Sequence, residues 1–203
     1  MELTQIIPEA VETTRLYSIE EYLAMEELAE ERHEYDNGKI ITMAGGTLNH
    51  SRITANCIRL IGNELIEQDK NTCYVSSSDL KIHIAALALG KFFYPDASVV
   101  CGEPQYYPKR TDTVENPTLI VEILSDSTET FDRTEKFDWY STLSSFKEYL
   151  LVSQKQKRAE VWTYVGGNVW EMRIYKNPTD KLALKTLDCE IVLEELYRGV
   201  VFE

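Results

Sequence analysis

The residue hardest to reconcile with an ordinary core is Glu122. It interrupts Leu119-Ile120-Val121-Glu122-Ile123-Leu124, a run that otherwise reads as a strand buried on both faces. An ionised carboxylate there costs several kcal/mol unless a cation or hydrogen-bond donors compensate it, so it is either half of a buried ion pair with a lysine or part of a functional site. Asp96, in Tyr94-Pro95-Asp96-Ala97-Ser98-Val99-Val100, is a second acid in a strand-like run. Residues 102–117 form a loop between the two runs, and folding the runs back as neighbours brings Asp96 and Glu122 within reach of one ion. Two carboxylates completed by carbonyl and water oxygens suit magnesium, with manganese as the alternative. His33, His50 and His83 lack the spacing of a zinc site.

A cation for this chemistry has several possible sources. Asp132, Lys136 and Tyr140 are four residues apart in a segment with helical spacing, so they share a face. Lys136 is then either one end of an exposed pair with Asp132, worth about 0.3–0.5 kcal/mol, or an ammonium that swings into the acidic cluster. Lys81 in the DLKIHI strand is a second candidate. Lys109-Arg110 and the cluster of Lys155, Lys157 and Arg158, with Tyr106 and Tyr107 available for stacking, read either as solvated turns or as contacts to a nucleic-acid backbone.

The elements that must position these groups follow from pattern. Ser18 and Glu21 form a capping box ahead of a short amphipathic helix, and Asn37-Gly38 supplies the positive φ angles of a tight hairpin. Ile53, Cys57, Leu60, Ile61 and Leu65 recur at helical spacing between about Asn49 and Gln68, giving a long helix that packs on a sheet. CYVSS, DLKIHI, FFYPDASVV, TLIVEIL, EYLLV, AEVWTYV and VWEMRIYK read as strands, with a helical crossover between TLIVEIL and EYLLV and a second hairpin at Gly166-Gly167-Asn168. The expectation is an α/β chain: a mobile lead-in over 1–16, then one domain over 17–203 with its core in 17–153 and a C-terminal β extension over 159–203.

Composition bounds the partners. The 203 residues carry 34 acids against 21 lysines and arginines, a net charge of -13, which excludes a uniformly basic nucleic-acid coat. Residues 1–36 alone hold 11 acids against Arg15 and Arg32, so the remainder is nearly balanced and leaves room for a local basic groove. Cys57, Cys73, Cys101 and Cys189 form no CxxC pair, and reduced, buried thiols are expected. No apolar run approaches the ~20 residues that cross a bilayer, and the acidic start lacks the basic region of a signal peptide, so a cytoplasmic protein without membrane contact is expected.

The ordered set HEYDNGKIITMAG, LNHSRITANCIRLI, YPDASVV and PTLIVEILSDST, followed by Asp132, Lys136 and Tyr140 ahead of EYLLVS, resembles the Uma-type family of restriction endonucleases, a branch of the PD-(D/E)XK nuclease superfamily. The resemblance runs from about Tyr17 to Val152. It implies a restriction-endonuclease-like mixed sheet flanked by helices, with Asp96 and Glu122 as metal-binding acids and Glu34 as a further acid at the site. On pattern alone Glu34 is an exposed acid beside a hairpin. His50 matches a family position, either approaching the scissile phosphate or capping its helix. The superfamily E-x-K pattern would put lysine at position 124, where this chain has Leu124. Two functions remain in view: a magnesium-dependent endonuclease acting on DNA, simplest as a homodimer that cuts both strands, and a catalytically silent nuclease fold that serves as a binding or dimerisation module.

Overall fold

The structure is a computed structural model that describes residues 15–43, 45–85 and 89–202, so most of the expected lead-in lies outside the described residues. Helix α1 (Ile19–Glu26) starts at the capping box read from sequence, with the Glu21 amide donating to Ser18 Oγ and the Ser18 amide to Glu21. Strands β1 (His33–Asp36) and β2 (Lys39–Thr42) follow as a hairpin. Its turn holds Asn37 at φ 47° and Gly38 at φ 94°, backbone angles that a β-branched residue would resist. Tyr22 and Tyr35 stack under this hairpin with Phe92, fixing α1 to the sheet.

Helix α2 (Leu48–Glu67) is capped by Thr47, whose hydroxyl accepts from the His50 amide, so His50 itself is not the cap. Its buried stripe of Ile53, Cys57, Ile61 and Leu65 recurs every four residues. Each aliphatic side chain in it contributes about 2 kcal/mol by leaving water.

Among the described residues the strands form two larger sheets and one small hairpin. The first sheet has the order β2-β1-β5-β4-β7, adding β4 (Lys81–Ile84), β5 (Lys91–Phe93) and β7 (Thr113–Val114) to the hairpin. The second is six-stranded, β11-β10-β9-β8-β6-β3, and contains β3 (Cys73–Ser77), β6 (Ala97–Cys101), β8 (Leu119–Leu124), β9 (Glu148–Ser153), β10 (Ala159–Gly166) and β11 (Val169–Tyr175). FFYPDASVV, which reads as one strand, divides at Tyr94-Pro95-Asp96 into β5 in one sheet and β6 in the other. Proline lacks the N–H a continuous ladder needs, and the break delivers Asp96 at the gap between the sheets.

The period-two alternation of β8 sorts its residues between two cores. Leu119, Val121 and Ile123 pack toward α2, whereas Ile120 and Leu124 pack with Ile82, Phe93, Tyr140 and Tyr149. Glu122 therefore points into the second, aromatic core. The crossover from β8 to the parallel strand β9 is a continuous run of α3 (Glu129–Phe131), a π-helical turn (Asp132–Lys136) and α4 (Phe137–Ser141). Residues 159–175 extend the same sheet as a hairpin about Gly167 and Asn168, both at positive φ. A further hairpin, β12 (Lys181–Leu184) with β13 (Cys189–Val192), and the short α5 (Leu193–Leu196) close over α2; their patterns are too short to read from sequence.

One expectation is corrected. Cys73 and Cys101 form a disulfide rather than two thiols, because the antiparallel register of β3 and β6 sets them directly opposite each other across 28 residues of sequence. Among the described residues Cys57 and Cys189 are free and buried, as expected, and burial raises both thiol pKa values. Lys81, the second candidate for a catalytic cation, is buried at 3% exposure and pairs with Asp112 at 2.6 Å while donating to the Tyr94 hydroxyl at 3.1 Å. Hydrogen bonds from Arg110, reinforced by Lys81, hold the Asp112 pKa well below the usual carboxylate range.

This pairing generates a first prediction. A depressed carboxylate stabilises the fold above its unfolded pKa, 3.8 here, and loses that contribution as pH falls below it. Asp112→Asn should lower stability at neutral pH by about 2 kcal/mol, less than the cost of breaking a sealed pair because Asp112 is partly exposed, and should flatten the acid limb of stability against pH. Urea melts of both proteins between pH 2 and pH 7 (roughly the window in which such a carboxylate titrates) check this; superimposable curves would refute it.

Candidate active site

Glu122 sits at 3% exposure in the centre of β8 with hydrophobic neighbours on the same strand, and the Lys136 ammonium lies 3.1 Å from its Oε1. Lys136 is also 3.1 Å from Glu34 and 3.6 Å from Asp132, so one buried ammonium is shared by three carboxylates. The rings of Phe93 and Phe131 border it at 5.6 and 6.0 Å. Of the two sequence readings of the Asp132–Lys136 pair, the exposed one does not hold: both residues are buried, at 3% and 6% exposure.

Local sequence explains the arrangement. Asp132, Lys136 and Tyr140 fall on one face as their spacing predicts, and the π-helical turn widens the helix where that face meets Glu122. The Tyr140 hydroxyl donates to Glu122 Oε1 at 3.3 Å, and the Tyr149 hydroxyl donates to the Asp132 carbonyl. Glu34, on β1, is buried rather than exposed and accepts the Tyr94 amide at 3.2 Å on the oxygen that meets Lys136.

Asp96 lies one residue before the Ala97–Val121 pair, at the entry to β6, which puts it beside Glu122 of the neighbouring β8. Its Oδ2 accepts the Ile123 amide at 2.7 Å and is 3.2 Å from His50 Nε2. The contacts of Asp96 thus fall on Oδ2 and the hydrogen bonds of Glu122 on Oε1, so among the described residues each carboxylate keeps one oxygen without a protein hydrogen bond. Asp96 and His50 line a cleft of about 670 Å³ with Arg32, Gly45, Gly46 and Ser78.

Electrostatics sharpen the picture. Burial, together with Asp132, Asp96 and Glu34, raises the Glu122 pKa well above its ordinary value even though Lys136 opposes the rise. Burial works to lower the Lys136 pKa, but Glu122, Glu34 and Asp132 outweigh it and raise it, so the ammonium stays charged. The Asp96 carboxylate likewise raises the His50 pKa. The cluster therefore holds four carboxylates, Glu34, Asp96, Glu122 and Asp132, against Lys136 and a titratable His50.

A strand carboxylate meeting a second acid at the start of the neighbouring strand, with a lysine closing the group, is the arrangement expected of a restriction-endonuclease-like core. Residues 19–194 match the model of the Uma2 family, described as "Putative restriction endonuclease". The chain belongs to this family. Two uncharacterized proteins of Synechocystis sp. are among its relatives: sll1609 is 38% identical over 79% of this chain and 88% of its own length, and slr1290 is 37% identical over 91% and 93%. Among solved structures, a putative nuclease belonging to DUF820 from Anabaena variabilis superposes with a TM-score of 0.71, covering 91% of this chain and 99% of that one at 17% identity. That likeness is one of fold, and the mixed sheets with few helices described above agree with it.

Leu124 is buried in the aromatic core, while Lys136 brings its ammonium to Glu122 from the crossover. Lys81 is not brought to this cluster. Arg110 is committed to Asp112 and Glu27, and Lys155, Lys157 and Arg158 pair with Asp126, Glu194 and Glu160 respectively. Lys109 is exposed in its loop. Arg32, in the cleft wall, was not singled out by sequence reasoning; it is anchored by the Ser78 carbonyl and hydroxyl and by Asp79, and its one advance signal is its position as a lone base in an acidic stretch.

A second prediction follows from the shared ammonium. Lys136→Met should cost about 3–5 kcal/mol, because three carboxylates lose their common cation, and adding Glu122→Gln should recover part of that loss. A double-mutant cycle from chemical denaturation measures the coupling; additive losses would show that the two side chains do not interact.

Proposed function

We propose that this protein is a metal-dependent endonuclease that hydrolyses phosphodiester bonds in DNA, working in the cytoplasm as a homodimer built from one nuclease domain per chain. The observation that carries the reading is the juxtaposition of Glu122 on β8 with Asp96, immediately before the neighbouring strand β6, and with Lys136 at 3.1 Å, next to a cleft open to solvent.

The donor set fits magnesium or manganese. Among the described residues Asp96 and Glu122 each keep a carboxylate oxygen without a protein hydrogen bond, and a divalent ion would balance the excess of acids over bases. Among the described residues no three His, Cys, Asp or Glu side chains converge as a closed metal cage. Two protein carboxylates, with water and phosphate completing the shell, is the mode that magnesium favours. Held by Asp96 and Glu122, the ion would supply Lewis acidity toward phosphate oxygens and water.

The remaining roles belong to the chain. Lys136, kept charged by Glu122, Glu34 and Asp132, would orient water and offset charge gathering on the phosphate. Glu34 and Asp132 fix that ammonium, and Tyr140 fixes Glu122. His50 orients Asp96 and stands in the cleft where a phosphate would lie; Arg32 offers a guanidinium in the same wall. Lys109 would touch the DNA backbone from the surface, whereas Arg110, Lys155, Lys157 and Arg158 would first have to exchange their carboxylate partners.

One observation favours the second reading, a catalytically silent fold that binds without cutting: Leu124 replaces the superfamily lysine, and the substitute, Lys136, is already held by three acids. Cleavage of supercoiled, linear and single-stranded DNA across a magnesium titration separates the two. Asp96→Ala and Glu122→Ala should each abolish magnesium-dependent cleavage with circular dichroism unchanged, and magnesium should raise the melting temperature of the wild type only. Equal cleavage by all three proteins marks a contaminant and sinks the enzyme reading; binding without cleavage by any of them establishes the silent one.

A further inference from the structure

Strand β11 ends the six-stranded sheet, hydrogen-bonded to β10 on one side. An open edge strand is a template for another chain, and proteins usually blunt one with lysine, proline or a bulge. The segment Val169-Trp170-Glu171-Met172-Arg173-Ile174-Tyr175 has none of these; the irregularity of this hairpin falls at Tyr164 and Gly166, in β10. It also displays apolar side chains, with Val169 at 53%, Met172 at 46% and Ile174 at 42% exposure. The opposite edge differs: β3 is shorter, carries Ser76 and Ser77 without charged residues, and is joined to β6 by the Cys73–Cys101 disulfide.

We propose that β11 is the dimerisation edge of this protein and that its occupant is β11 of a second copy, paired antiparallel about a two-fold axis through Met172. Charge complementarity identifies this occupant. In that register Glu171 faces Arg173 of the partner subunit and Arg173 faces Glu171 of the partner subunit; within one chain the two already lie 3.7 Å apart with both side chains half exposed, and the second copy would set a further opposite charge against each. Met172 meets its own copy, Trp170 meets Ile174 of the partner subunit, and Val169 meets Tyr175 of the partner subunit, so every residue of the strand is used. A two-fold axis normal to the sheet preserves which face each side chain occupies, and the registers it allows differ by steps of two. Centring on Glu171 sets two glutamates against each other, and centring on Arg173 sets two arginines against each other. The Met172 register is the one among these three that opposes unlike charges.

The pairing closes both edges at once and joins the two six-stranded sheets into one, leaving no template for further addition at β11. Lys185, 3.0 Å from Glu171, extends the line of alternating charge on that face. The inference gives a surface to the homodimer proposed above. Its readout is molecular mass rather than cleavage, so failure of this interface and failure of the nuclease reading are separate results.

Sedimentation equilibrium of the full chain tests it. The wild type should be a dimer, and Met172→Lys, at an exposed position that leaves the fold intact by circular dichroism, should be a monomer. Glu171→Arg and Arg173→Glu should each weaken self-association about tenfold, since each change is made twice across the axis and turns attraction into repulsion. An equimolar mixture of those two variants should recover dimers, because in the mixed pair both cross-strand contacts again oppose unlike charges, whereas each chain's internal charges are the same as in its own homodimer. A monomeric wild type at high micromolar concentration overturns the proposal, as does a dimer that survives Met172→Lys. Mixing that restores nothing overturns the register.

Discussion

The fold is organised around one buried cation. Lys136 reaches Glu34 on the first sheet, Glu122 on the second and Asp132 on its own helical run, so a single ammonium ties together three parts of the chain that share no backbone ladder. The tie is strong in a particular sense. Exchanging such a group for well-packed apolar residues need not destabilise a protein, but deleting one member strands charges among rings that cannot solvate them. Phe93, Phe131, Tyr140 and Tyr149 supply that surrounding, and the group is thereby held as a unit rather than as separable contacts. The same low-dielectric setting that makes the cluster costly to break also strengthens the interactions among its charges.

Much of this was legible because charge in an apolar run has few explanations. Glu122 stood out by interrupting a buried strand, and Asp96 by following a proline; the hairpin turns and α2 were equally plain from Asn37-Gly38, Gly167-Asn168 and the recurrence of Ile53, Cys57, Ile61 and Leu65. The sequence concealed what depends on tertiary placement. Glu34 looks like any acid beside a turn, and its burial comes from the packing of β1 against β5 and the approach of Lys136 from a helix 100 residues on. The Cys73–Cys101 bond depends on a register that spacing alone does not encode. The division of FFYPDASVV between two sheets was written in Pro95, yet its consequence, that Asp96 is released at a sheet gap, required knowing that there are two sheets.

The charge distribution bears on how so acidic a chain would engage the DNA proposed as its substrate. The net charge of -13 repels a polyanion at long range, and the surface bases that seemed available are largely neutralised by neighbouring acids. Attraction must then be local. Screening confines the general repulsion to about 8 Å at physiological salt, so under the proposed function a substrate reaching the cleft would be governed by Arg32, His50, Lys136 and any divalent ion held by Asp96 and Glu122 rather than by the surface average.

The place of Lys136 on a helical run, rather than on a strand, also determines what controls the cluster. A lysine two residues beyond Glu122 on β8 would be placed by the sheet ladder and would respond to little else. Lys136 is instead placed by the pitch of its helical run, and the π-helical turn at Asp132–Lys136 is the segment in which one residue more than an α-turn is accommodated. Relaxing that turn to ordinary α geometry would rotate Lys136 by about 100°, the angular step of one helical residue, away from Glu122. Tyr140, which follows on the same face, holds the register by donating to Glu122, and Tyr149 holds it from β9 through the Asp132 carbonyl. The position of the ammonium is therefore a property of helix phase, enforced by two buried tyrosines, and changes at those tyrosines should act on the charge cluster without touching any of its charged members.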